Sequence, residues 1–140
     1  MREGIRVPAY RSFALDACYF AMAGDPARAI IMACAAWEIA LREYLRSVTA
    51  KNNEGYKRAS ETLHGIPKLY NRVRIAKGGP LFYEDPDASR ESERDLVERL
   101  PNLRNKLLHE GATDLPEGSA ETLSSAVLDA IDWLFRKGPT

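Results

Sequence analysis

Hydrophobic residues return at intervals of three and four along most of the chain, the repeat of helices with one buried face, and no segment sustains the two-residue alternation of a strand. Between Pro8 and Ala23 the apolar positions Phe13, Ala14, Leu15, Ala17, Cys18, Tyr19, Phe20 and Met22 cover most of a helix circumference. This predicts a first helix covered on more than one side and ended by Gly24. Asp25-Pro26 supplies an N-cap acceptor followed by proline at the first helical position, so a second helix starts there and runs to about Val48. Its stripe of Ile30, Ala33, Trp37, Leu41, Tyr44, Leu45 and Val48, with small Ala29, Ala35, Ala36 and Ala40 between, marks it as the central packing helix.

Lys51 to Gly55 reads as a turn, followed by a short helix from Tyr56 to His64 and another from Pro67 to Lys77 with Leu69, Val73 and Ala76 inward. Gly78 to Asp87, with Pro80 and Pro86, is the loop expected to move most, and a helix from about Ser89 to Leu100 follows it. Pro101 disfavours helix in Leu100, so the next helix starts, or kinks sharply, there and stops at Gly111. Leu100, Leu103, Leu107 and Leu108 give it an inner face that leaves Asn105, Lys106 and His109 elsewhere. After a loop from Ala112 to Gly118, Ser119 reads as the N-cap of a last helix striped by Leu123, Val127, Ile131 and Leu134 and ended by Gly138-Pro139. The fold class is an all-α, up-and-down bundle of five or six helices in a single domain spanning 1–140.

Composition narrows the partners. Lys plus Arg equals Asp plus Glu at 20 each, so the molecule has no net attraction to nucleic acid and any RNA site must be local. Cys18 and Cys34 lie in apolar helical contexts and read as buried thiols of a reducing compartment, neither a disulfide nor a metal pair. The apolar run from Ala29 to Trp37 is far short of a membrane span, and Asp16 interrupts the one stretch that resembles a secretory signal, so the expected location is cytoplasmic.

Locally the charge is uneven. Lys51 to Lys77 holds seven basic residues against two acidic, which makes Lys68, Arg72, Arg74 and Lys77 candidate phosphate ligands, with Lys106 joining them from the later helix. Glu84 to Glu98 reverses the balance with seven acids against two arginines, a pairing that suits self-association or a charged partner. No glycine-rich phosphate loop, zinc spacing or nucleophile elbow is present, and no metal or cofactor is expected.

Chemistry concentrates in Leu103-Arg104-Asn105-Lys106-Leu107-Leu108-His109, which contains one of the two histidines. Asn105 and His109 are i, i+4 neighbours, while Arg104 sits roughly 140° around the helix from His109. A titratable imidazole, a permanent planar cation and an orienting amide suit cleavage of a phosphodiester. The plainer alternative is a histidine that complements the carboxyl end of the helix dipole beside solvated neighbours. Glu38, next to Trp37 at the edge of an apolar run, needs a partner if it is partly buried: Arg42 at i+4, or Arg104 or His109 across a helix interface.

Arg104-Asn105 followed by Leu107-Leu108-His109, on the next-to-last helix of a small bundle, resembles the Arg-x4-His signature of HEPN domains (higher eukaryotes and prokaryotes nucleotide-binding). The resemblance implies a metal-independent endoribonuclease, usually a homodimer whose motif helices face each other across one RNA cleft. Many members are toxins or antiphage effectors with a neighbouring antitoxin. Carried over, His109 is general base or acid, Arg104 stabilises the phosphorane charge, Asn105 orients one of them, and the product ends in a 2′,3′-cyclic phosphate. Two further readings stand beside this one. The first is a non-catalytic module binding RNA, a nucleotide or a protein through the surface from Lys51 to Lys77, and the second is a dimeric scaffold held by the first two helices.

Overall fold

The computed structural model describes residues 7–49, 54–79, 93–111, 115 and 118–136. Among them are six α-helices: α1 (Ala9–Met22), α2 (Pro26–Thr49), α3 (Glu54–Thr62), α4 (Ile66–Ala76), α5 (Leu100–Glu110) and α6 (Ser119–Phe135), with a π-helical turn (Asp95–Arg99) leading into α5. The protein is an all-helical bundle, without strands among the described residues. The expected loop from Gly78 to Asp87 beyond Gly79, the start of a helix at Ser89, residues 51–53 of the predicted turn and the Gly138-Pro139 stop lie outside the described residues.

α2 organises the rest, since every other α-helix packs against it. Asp25 caps it, its Oδ1 accepting from the Arg28 N–H at 3.2 Å, which satisfies one of the orphan donors of a helix start. Trp37, Ile30, Leu41 and Leu45 are fully buried along its inner face. The residues that α1 and α2 bury without any solvent exposure include many alanines, Ala14 and Ala17 on α1 and Ala29, Ala33, Ala36 and Ala40 on α2. Small side chains let two backbones approach closely, and the half-buried Tyr10 and Phe13 of α1 complete its packing against the core.

That packing corrects the expectation for α1. It packs against both α2 and α6, but over less of its circumference than its apolar residues suggest: only Ala14, Ala17 and Ala21 are buried, and Leu15, Tyr19 and Met22, the last 83 % exposed, line its outer face. Two helix starts also differ. α6 is entered through Gly118 at φ 85° in the left-handed region, with Ser119 already helical and no side-chain cap. Pro101 lies in the first turn of α5, where a helix start was expected, but the start is not a break: Leu100 is right-handed helical at φ −60°, ψ −48°, and its N–H reaches back to the Asp95 carbonyl, five residues instead of four. The wider π-helical ring relieves the clash that a proline ring makes with the carbonyl four residues earlier, so one helical run continues through it. Gly111 stops α5 as expected, at φ 83°, a conformation that a side chain makes costly.

Candidate functional site

Packing sorts the residues of α5 by face. Leu100 and Leu107 are buried and Leu103 is half-buried, which fixes the inner face toward α2. Leu108, expected inward with them, is 63 % exposed. One turn earlier on the same flank Arg104 is half-buried, with its side chain 32 % exposed. Asn105, Lys106 and His109 are exposed on the outer face, so the angular separation of Arg104 from His109 read from the helical repeat holds in the folded chain.

Arg104 is turned toward Glu38 of α2. Its Nη1 lies 3.9 Å from Glu38 Oε1, an ion pair too long to be a hydrogen bond, and its Nε is buried with no hydrogen-bond partner among the described residues. Glu38 is half-buried, as its position beside Trp37 suggested, and serves both partners weighed for it on the arginine side: Oε2 accepts from Arg42 Nη2 at 3.2 Å while Oε1 faces Arg104.

Arg42 is the hub that sequence reading undervalued. Besides Glu38, it donates through Nη1 to the Ser60 carbonyl of α3 at 2.9 Å and approaches His64 Nδ1 through Nη2 at 3.4 Å. A guanidinium has donors only, so in that contact Nδ1 is the acceptor. The i, i+4 spacing from Glu38 pointed to Arg42, but nothing local in sequence announced His64, 22 residues further on. No described contact joins Glu38 to His109.

Cys34 sits beneath this network, fully buried, its thiol donating to the Leu100 carbonyl at 3.4 Å. Burial pushes the thiol up to about 12, with the Arg104 charge opposing and the Glu38 charge reinforcing the shift. Cys18 is half-buried, and burial raises its thiol as well, Asp129 adding to the shift.

The candidate phosphate ligands divide. Lys68 and Arg72 are exposed one turn apart on α4, Arg74 is exposed roughly 200° around that helix from Arg72, and Lys106 is exposed on α5. Lys77 is turned inward: its ammonium lies 5.1 Å from the ring centres of both Tyr44 and Trp133 and donates to the Leu134 carbonyl at 3.1 Å. It therefore complements the carboxyl end of α6. Arg58, counted only as part of the basic block, lines a cleft of about 310 Å³ with Arg72 between α3 and α4.

Among the described residues no group of three His, Cys, Asp or Glu side chains stands close enough to hold a metal ion, and no helix is long and apolar enough to cross a membrane. Comparison of the chain with family models, with curated proteins and with solved structures returns no match.

Proposed function

We propose that the protein is a metal-independent endoribonuclease of the HEPN type, a cytoplasmic toxin or antiphage effector acting as a homodimer and restrained by a cognate antitoxin. The observation that carries this reading is the division of α5: Asn105 and His109 stand in solvent on one face, and Arg104 flanks the opposite face, held by an ion pair without a hydrogen bond. Within one chain the imidazole and the guanidinium point apart. Two copies meeting through α5 about a two-fold axis supply what one lacks, the histidine of one opposite the arginine of the other.

In that arrangement the His109 imidazole takes the proton of a ribose 2′-hydroxyl, and the freed oxygen attacks the adjacent phosphorus. Arg104 stabilises the added charge on the phosphorane, and Asn105 fixes the ring. Water protonates the departing 5′-oxygen and the imidazolium returns its proton to the hydroxide so formed, leaving a 2′,3′-cyclic phosphate and a 5′-hydroxyl. The deciding experiment incubates purified protein with mixed cellular RNA in excess chelator, beside His109→Ala. Cleavage with cyclic phosphate ends that disappears in the variant supports the reading, and equal behaviour of the two proteins sinks it.

A second reading has its own observation. The cleft holding Arg58 and Arg72 suits a phosphate chain bound without chemistry. In that case RNA retention survives His109→Ala and falls when Arg58 and Arg72 are neutralised.

A further inference from the structure

A second cleft, of about 450 Å³, lies beside the π-helical turn, lined among the described residues by Arg94, Asp95, Glu98, Arg99, Asn102, Leu103 and Lys106. We infer that it receives one unpaired nucleobase of the RNA, guanine above the other three, next to the phosphate handled at His109. The inference rests on the RNA reading above.

Position is the first ground. Asn102, Lys106 and His109 succeed one another at i, i+4 and i+7, one exposed stripe of α5. At the helical rise Lys106 stands about 4.5 Å and Asn102 about 10 Å along the axis from His109, so a strand whose phosphate reaches the histidine brings a neighbouring base to the cleft.

Charge is the second. Asp95 and Glu98 put two carboxylates in the cleft among the cations Arg94, Arg99 and Lys106, so the lining can both accept from N–H groups and donate to ring oxygens and nitrogens. The occupant that suits it is flat and carries donors and acceptors side by side. Guanine presents two adjacent N–H donors on one edge, the match to a carboxylate's two oxygens, whereas uracil presents one. Glu98 is engaged by Arg94 Nε at 3.1 Å, but both side chains are largely exposed and such a pair yields readily to a ligand. The half-buried Leu103 gives the ring an apolar surface, the exposed Asn102 amide can donate and accept at the base edge, and Lys106 at the rim meets the phosphate.

The test measures binding by His109→Ala protein, in chelator, of short oligouridine strands that differ only in one central base, G, A, C or U. The expected result is binding of the G strand about tenfold tighter than the all-U strand, the discrimination of a good paired contact. Glu98→Gln and Asn102→Ala each bring the four strands to within about twofold, and Lys106→Ala weakens all four alike. Equal affinities, a G preference that survives Glu98→Gln, or no binding of any strand overturns the inference. Wild-type cleavage is scored separately. Cutting with no base preference keeps the ribonuclease and removes this site, while G-selective binding without cutting keeps the site and removes the ribonuclease.

Discussion

Arg104 Nη1 lies 3.9 Å from Glu38 Oε1, so the arginine of the motif is tied to the central helix and not to the histidine five residues after it. The same carboxylate accepts from Arg42 at 3.2 Å, and Arg42 in turn bridges to α3 through the Ser60 carbonyl. One half-buried acid thus compensates two half-buried cations and links α5 to α2 and α3.

Removing that acid leaves two guanidiniums without their counter-charge. Glu38→Ala is expected to destabilise the fold by about 1–2 kcal/mol, the range for a partly buried charge-assisted contact. That corresponds to a fall in Tm of several degrees for a domain of this size. Glu38→Gln keeps shape and an acceptor and loses less. Calorimetry of the two variants checks the order, and an unchanged Tm in Glu38→Ala would show that the pair contributes nothing.

His109 and Asn105 are exposed and make no described contact that the fold depends on, so His109→Ala and Asn105→Ala should melt within about 0.5 kcal/mol of the parent. In cleavage the expectation is opposite: loss of a general acid or base lowers the rate by about 10²–10⁴. Since the proposed site draws on two copies, equal mixing and reassociation of Arg104→Ala with His109→Ala should restore activity to about a quarter of wild type. Half of the dimers are then mixed, and each mixed dimer has one complete site. Mixtures as inactive as their parts would place the arginine and histidine of one site in the same chain.

The helical class and the main boundaries were legible because apolar spacing, Asp25-Pro26 and Gly111 each act locally. Pro101 marks the start of α5, as its clash with the preceding turn led one to expect, but the π-helical turn that relieves the clash and joins the two runs without a break has no local signal. Leu108 stands outside although its spacing put it inward, because hydrophobicity ranks residues and does not know where the partner helix ends its cover. Arg104, one turn earlier on the same flank, is held half-buried by Glu38, 66 positions earlier in the chain. In α1 too the covered face holds the small Ala14, Ala17 and Ala21, and Leu15, Tyr19 and Met22 are left outside. His109 and Asn105 were found by spacing alone, whereas His64 and Arg58 reach their neighbours only through the fold.

The two cysteines should separate cleanly by reactivity. Cys34 has no exposed surface and its thiol is pushed up to about 12, so almost none is thiolate at neutral pH. Cys18 is half-buried with a smaller upward shift. Incubation with a thiol-specific maleimide under native conditions should add one label, at Cys18, and a second only in denaturant. Peptide mass spectrometry locates the labels, and native labelling of Cys34 at a rate near that of Cys18 would contradict the packing of α5 against α2.

Lys77 offers a test of the interior at alkaline pH. Burial, with help from the Arg136 charge, lowers its pKa from the ordinary lysine value of 10.5. The folded state therefore releases this proton at lower pH than the unfolded chain does. Between the two values the unfolded chain binds more protons, so the lysine's contribution to stability rises with pH through that window, just below and around 10.5. Lys77→Met keeps the stem between Tyr44 and Trp133 but loses the bond to the Leu134 carbonyl, which costs about 1 kcal/mol near neutrality. The gap between wild type and variant should widen in favour of wild type as pH is raised from about 9 to 11, since only the wild type has this proton to release. Paired urea melts across that range measure it, and a gap that narrows would mean that the ammonium is better accommodated in the fold than in water.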